Sequence, residues 1–214
     1  MLNFLLSDPV SFLVWIAALL SAITVHEFAH AWMAVRLGDP TPKLQGRLTL
    51  NPIAHLDPIG TLMLILVRFG WGKPVQFDPF NLENPRRDSA LISLAGPISN
   101  ILLATIFSLL LRLSVTFGTG IPLIATLAPP FIMLNVILAV FNLIPVHPLD
   151  GGKILVGILP PREAAQADRF MKQYGIFIVL LMVFPIFGSS PVFTILNPII
   201  NLLMSIYIPG LGAV

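Results

Sequence analysis

Two histidines one helical turn apart, with a glutamate between them in His26-Glu27-Phe28-Ala29-His30, are a set of groups able to hold a metal ion and move a proton. On a helix the two imidazoles share one face and Glu27 sits beside them, which is the His-Glu-x-x-His pattern of zinc hydrolases. The cluster lies inside an apolar run that begins near Val10. Ionisable groups inside an apolar span are costly enough to mark a functional site. A catalytic zinc takes three protein ligands and keeps one position open for water, so His26 and His30 need a partner from elsewhere in the chain. Cysteine is absent, which leaves His, Asp or Glu to supply it.

Most acidic residues are poorly placed for that task. Asp39, Asp57, Asp78, Glu83, Asp88, Glu163 and Asp168 fall in polar loops, and Asp8 precedes the first apolar run. Asp150 differs: it lies in Asn142-Leu143-Ile144-Pro145-Val146-His147-Pro148-Leu149-Asp150-Gly151-Gly152, where two prolines and two glycines must break the helix begun near Phe131. Broken helices at membrane depth are tolerated where they line protein or a watery cavity. A carboxylate at such a break can meet histidines on a neighbouring helix.

The elements that must carry these groups are membrane helices. Hydrophobic residues make up 56% of the chain, charged residues 10%, and mean hydropathy is +0.91. Five long apolar stretches, at 10–35, 89–117, 123–146, 174–189 and 192–208, predict an all-α, polytopic transmembrane helix bundle of about five spanning helices. A shorter stretch at 59–71 reaches roughly 20 Å as a helix against a hydrocarbon core of roughly 30 Å, which predicts a re-entrant or interfacial hairpin. The last two stretches, split by Gly188-Ser189-Ser190-Pro191, predict a C-terminal helical hairpin over about 174–208. Residues 1–214 read as a single membrane domain with its core at about 10–153.

Basic residues set the expected orientation. With 36–88 on the cytoplasmic side, that side receives Arg36, Lys43, Arg47, Lys73, Arg86 and Arg87, and a second cytoplasmic loop receives Lys153, Arg162, Arg169 and Lys172. Arg112 falls near the outer face. The N-terminus is expected outside, and His26, about 24 Å down the first helix, is submerged nearer the cytoplasmic face. A secretory signal is the rival reading of the first stretch, but no Lys or Arg precedes Arg36 to form a basic n-region. With a net charge of +2 and no basic tract interleaved with aromatics, nucleic acid is excluded as a partner.

His26-Glu27-x-x-His30 in a membrane helix, followed by Asn142-x-x-Pro145-x-x-x-Leu149-Asp150-Gly151, resembles the site-2 protease family of intramembrane zinc metalloproteases. Gly46-Arg47-Leu48-Thr49-Leu50-Asn51-Pro52 and Asp57-Pro58-Ile59-Gly60-Thr61 resemble a compact subgroup, expected to lack the PDZ or CBS domains of other relatives. The resemblance implies one Zn2+ per chain held by His26, His30 and Asp150, with Glu27 as general base. It implies substrates that are transmembrane helices of other proteins, met within the lipid bilayer of a bacterial or archaeal cytoplasmic membrane. It also lets Asn142 donate a hydrogen bond to the substrate backbone or the developing oxyanion, although Asn142 could instead satisfy carbonyls freed at the Pro145 break.

Several residues have two readings. His147 is a gate residue or a solvated loop histidine, and His55 is expected to stabilise a turn. Gly96, Pro97 and Asn100 support the site from a neighbouring helix or simply allow close packing. Asn135, Asn197 and Asn201 suggest hydrogen bonds between helices. Lys43–Leu50 could form a strand that receives an unwound substrate, or a plain surface hairpin. The Pro-rich loop from Lys73 to Arg87 could cover the site. A metal-ion or proton transporter using the same four residues is the alternative function. The transporter predicts ion flux in sealed vesicles, whereas the protease predicts Glu27-dependent peptide products.

Overall fold

A computed structural model describes residues 7–67, 70–117, 122–184 and 190–208. Among the described residues eight α-helices run in order: α1 Pro9–Arg36, α2 Thr41–Leu44, α3 Pro58–Val67, α4 Pro85–Thr116, α5 Pro122–Asn142, α6 Asp150–Ile158, α7 Pro161–Val183 and α8 Pro191–Tyr207. The only β-pairing among the described residues is an isolated bridge between Leu56 and Gly72. The fold is an all-α membrane helix bundle, as the apolar stretches predict.

Among the described residues three helices, Pro9–Arg36, Pro85–Thr116 and Leu123–Asn142, are long and apolar enough to cross a membrane. The other two expected spans differ from the sequence reading. Of the stretch at 174–189, residues 174–183 are the apolar half of α7 and 185–189 lie outside the described residues; the helix starts 13 residues earlier because Pro161 can open a helix and Glu163-Ala164-Ala165 favour one. The stretch at 192–208 becomes the 17-residue α8, roughly 25 Å long and shorter than a comfortable span. Within 59–71, the 10-residue α3 is followed from Gly70 by irregular chain rather than by a second helical arm, residues 68–69 lying outside the description.

Local chemistry fixes the boundaries that matter for the site. Asp8 caps α1 by accepting from the Ser11 N–H at 3.1 Å, and Pro9 occupies the first turn, where a missing N–H costs nothing. Arg36 sits in the last turn, beside the negative end of the helix dipole. Gly38, at φ 106°, then turns the chain in a conformation that side chains rarely adopt. Of the two readings of Lys43–Leu50, the strand does not form. Pro42 starts the short turn α2 instead, and Gly46 at φ 68° ends it.

Two interfaces hold the bundle. On α1 the buried residues Ala18, Ala22, His26, His30 and Ala34 recur every fourth position, and on α4 so do Asp88, Ile92, Gly96, Asn100, Ala104 and Ser108. Small residues on both stripes let the helix backbones approach closely. A second, aliphatic interface joins α4, α5 and α8 through Ala104, Leu111, Ile132, Val136, Val140, Val192, Leu196 and Ile200. Asn197 and Asn201 lie on the exposed side of α8 and do not serve as the interhelical links expected of them.

Candidate metal centre

The α1–α4 stripe brings His26 and His30 together, 4% and 8% exposed, with their rings T-shaped at 4.6 Å between centroids. Gly96 makes the room. A Cβ at that position would stand 2.5 Å from His30 Cε1 and 2.6 Å from His26 Nε2, so any side chain there would displace an imidazole. Pro97, next in sequence, cannot donate to the Ser93 carbonyl and crowds that turn of α4. One residue earlier, the Ile92 carbonyl accepts from His30 Nδ1 at 2.7 Å.

His26 is oriented by a longer chain of hydrogen bonds. Asn135 on α5 donates its amide to the Phe131 carbonyl at 2.8 Å, which leaves its oxygen to accept from Asn100 Nδ2 at 2.7 Å. Asn100 Nδ2 also donates to the Ala22 carbonyl at 3.1 Å. Its oxygen therefore faces His26 Nδ1, at 2.6 Å, as an acceptor. Both imidazoles thus donate from Nδ1, which leaves Nε2 of each neutral ring as the atom able to bind a metal ion.

Asp150 completes the group from α6. The chain leaves α5 after Asn142, turns through Pro145 and Pro148, and re-enters a helix at Asp150. Gly151 and Gly152 permit this return, because a Cβ on Gly151 would strike the Leu143 and Ile144 carbonyls and one on Gly152 would stand 2.6 Å from His147 Nδ1. Asp150 Oδ2 lies 3.0 Å from His26 Nε2 and 3.2 Å from His30 Nε2.

With both imidazoles neutral and protonated on Nδ1, the two Nε2 atoms and Asp150 Oδ2 form three converging lone-pair donors, an arrangement that a cation among them stabilises. Tetrahedral zinc bonds of about 2.0–2.2 Å place neighbouring ligand atoms about 3.3 Å apart, close to the separations seen here. The donor set therefore fits a metal ion, and these are the residues that form the one such group among the described residues.

Glu27 stands next to His26 and belongs to no such group; its Oε2 accepts the Val75 N–H at 2.8 Å. This contact has no sequence signature, since a backbone amide is carried by nearly every residue type. Lys153, one turn beyond Asp150, lies with its ammonium 4.7 Å from the centre of the Phe77 ring. Burial holds that ammonium below its ordinary pKa, opposed by the charges of Asp150 and Glu27.

The remaining sequence candidates fall into place around this core. Asn142 donates its amide to the Leu138 carbonyl at 2.9 Å, one turn back in its own helix. His147 turns away from the metal ligands, with Nε2 at 3.1 Å from Asp168 Oδ1, and Lys172 adds a second partner to Asp168 at 2.6 Å. The packing of α7 against the His147 carbonyl at Gly175 tolerates no side chain there. His55 is fully buried and donates Nε2 to the Thr49 carbonyl at 2.8 Å, the turn-stabilising role expected of it.

An all-α membrane bundle with a buried three-ligand group and an adjacent carboxylate defines a membrane-embedded metalloprotein. The family model described as Peptidase family M50 matches residues 121–186, a span that includes Asp150. "Putative zinc metalloprotease YwhC" of Bacillus subtilis is 37% identical over 198 residues, covering 88% of this chain and 89% of that protein. "Putative zinc metalloprotease Rip2" of Mycolicibacterium smegmatis is 33% identical over 182 residues, 80% of this chain and 66% of that one. "Zinc metalloprotease MJ0392" of Methanocaldococcus jannaschii is 23% identical over 179 residues, 83% of this chain and 44% of its own length. No solved structure matches. The chain belongs to Peptidase family M50, the site-2 protease family that its paired motifs resemble.

Proposed function

We propose that this chain is an intramembrane zinc metalloprotease that hydrolyses peptide bonds within or beside transmembrane segments of other membrane proteins. The observation that carries the reading is the convergence of His26 Nε2 and His30 Nε2 on the Asp150 carboxylate at 3.0 and 3.2 Å, beside a glutamate outside the ligand set. His26, His30 and Asp150 would hold one zinc ion. When bound, the zinc supplies Lewis acidity that lowers the pKa of water and polarises the scissile carbonyl.

Glu27 acts as general base and then general acid. With Oε2 engaged by Val75, Oε1 carries the open lone pairs that take the proton of the attacking water and deliver it to the leaving amine. Asn100 and the Ile92 carbonyl keep the imidazoles in one tautomer and one orientation through the reaction. Asn142 spends one amide hydrogen on Leu138 and retains a second for the substrate backbone, the role that the family resemblance implies. A helical substrate must unwind to present its amide, because each carbonyl is otherwise hydrogen-bonded along the helix.

Residues 1–214 act as one domain in the cytoplasmic membrane, with the N-terminus outside and the metal centre nearer the cytoplasmic face. The distribution of Arg36, Lys43, Lys73, Arg86 and Arg87 after α1 supports that orientation. The ion-transporter alternative finds no support, since the relatives carry protease names and the described residues hold a single ligand group at one depth.

The test compares wild type with Glu27→Gln in detergent. Bound zinc is measured, and a panel of single-span membrane segments is digested and read by mass spectrometry. Zinc in both proteins, with cleavage at least about 100-fold slower in Glu27→Gln, is the expected result. Cleavage at equal rates would remove Glu27 from the chemistry, and protein purified without zinc from zinc-containing medium would remove the metal.

A further inference from the structure

Residues 73–78 form a strap, outside any helix, that touches both α1 and α6: the Val75 N–H reaches Glu27 and the Phe77 ring underlies Lys153. Both ends of this strap are tied by buried charged side chains. At the first end, the Arg47 guanidinium, 5% exposed, donates to the carbonyls of Ala54 and Lys73. The Lys73 N–H donates in turn to the His55 carbonyl at 2.9 Å. At the second end, Asp39, 0% exposed, accepts the Asp78 N–H at 2.7 Å, together with the Asn81 amide at 2.8 Å and the Thr41 hydroxyl at 2.6 Å.

Buried ionic groups are expensive, and a connecting loop has no need of two. What both share is the short strap between them, and the strap's central residue carries the one amide bonded to Glu27. A carboxylate hydrogen-bonded to a mobile amide would exchange that partner for water and lose its orientation. An amide fixed from both sides holds it where the proton must be taken.

We propose that Arg47 and Asp39 are positioning residues for hydrolysis: they fasten the 73–78 strap so that the Val75 amide holds the Glu27 carboxylate in its working orientation. The proposal rests on Glu27 being the base.

Arg47→Gln removes the fork that grips Lys73, and Val75→Pro removes the N–H itself, whereas Val75→Ala keeps it. Arg47→Gln and Val75→Pro are expected to lower kcat about 10- to 100-fold with KM and zinc content unchanged. Val75→Ala, which keeps the N–H, should lose at least about 10-fold less kcat than Val75→Pro. Arg47→Lys recovers part of the loss, since one ammonium can serve one of the two carbonyls, and Asp39→Asn lowers kcat in the same direction as Arg47→Gln. Hydrogen exchange gives a readout independent of turnover: Glu27→Ala should speed exchange in the 73–78 peptide while the core of α4 stays protected. A wild-type kcat in both Arg47→Gln and Val75→Pro overturns the proposal. So does a loss of activity that comes with loss of zinc or with general loss of protection, because that is the signature of a purely structural role. Glu27→Gln separates the two readings. If it cleaves normally, the base assignment fails; if it is silent while Arg47→Gln and Val75→Pro run at full kcat, the strap proposal alone fails.

Discussion

The α1–α4 interface and the α4–α5–α8 interface are built from the same helix periodicity yet obey different rules. The first is a ladder of Ala, Gly, Ser, Asn and His in which Asn100 and the Ile92 carbonyl each take one imidazole as partner. The second is a set of branched aliphatic side chains that fill space. In lipid, aliphatic burial gains little, because a hydrocarbon tail solvates an isoleucine as well as a neighbouring helix does. The aliphatic interface therefore depends on shape alone and tolerates similar shapes. In the polar interface one wrong atom leaves a neighbour unpaired.

That contrast is sharpest at the metal ligands. Stripping zinc with a chelator should abolish cleavage and lower the thermal midpoint, because the apo cluster leaves three acceptors facing one another. A midpoint insensitive to the chelator would show that the metal does not hold α1 to α6. Gly96→Val comes next. Its side chain would enter the space of both rings, so zinc binding and activity should fall together, by at least about 100-fold in metal affinity, as measured by competition with a chromogenic chelator.

Asn100→Leu keeps the volume and removes the oxygen facing His26 Nδ1, which should weaken zinc about 10- to 100-fold. On the aliphatic side, Ile132→Val and Val192→Ala should leave zinc affinity unchanged and cost roughly 0.5–1.5 kcal/mol at most, seen as small shifts in the detergent unfolding midpoint. Equal damage from Asn100→Leu and Ile132→Val would erase the distinction between the interfaces.

The smallest effect concerns acid. Burial alone would raise the Asp39 pKa, but hydrogen bonds from Thr41, Asn81 and Asp78 outweigh it and hold the carboxyl below its ordinary value. Asp39 thus stabilises the fold above the unfolded value of about 3.9, and that contribution fades as pH falls through the lower folded value. The midpoint difference between wild type and Asp39→Asn should be constant from pH 6 to 8 and shrink toward pH 3.

The chemistry was legible in the sequence because it depends on side-chain identity. His26, Glu27, His30 and Asp150 are rare residue types in apolar surroundings, and Pro145 with Gly151-Gly152 announces the break that delivers the carboxylate. The supporting structure was less legible. Gly96 reads as packing until a Cβ is built against the rings, and Asn135 reads as a generic interhelical link although Asn100 connects it to His26. Val75 was invisible because its contribution is a backbone N–H. The strand reading of Lys43–Leu50 gives way to a turn because alternation over so few residues competes poorly with Pro42 and Gly46. A helix boundary was less legible where apolarity ended inside a helix: α7 begins in a polar half that hydropathy alone cannot reveal.

The ligand from α6 also sets an order of events during biogenesis. His26 and Asp150 are 124 residues apart, so at about 5–20 residues per second roughly 6–25 s of translation separate them. Throughout that interval the first helix sits in or near the membrane with two of its three ligands and no third. The three-residue group therefore cannot close until the α6 segment has been made, and its completion waits for the late arrival of one carboxylate.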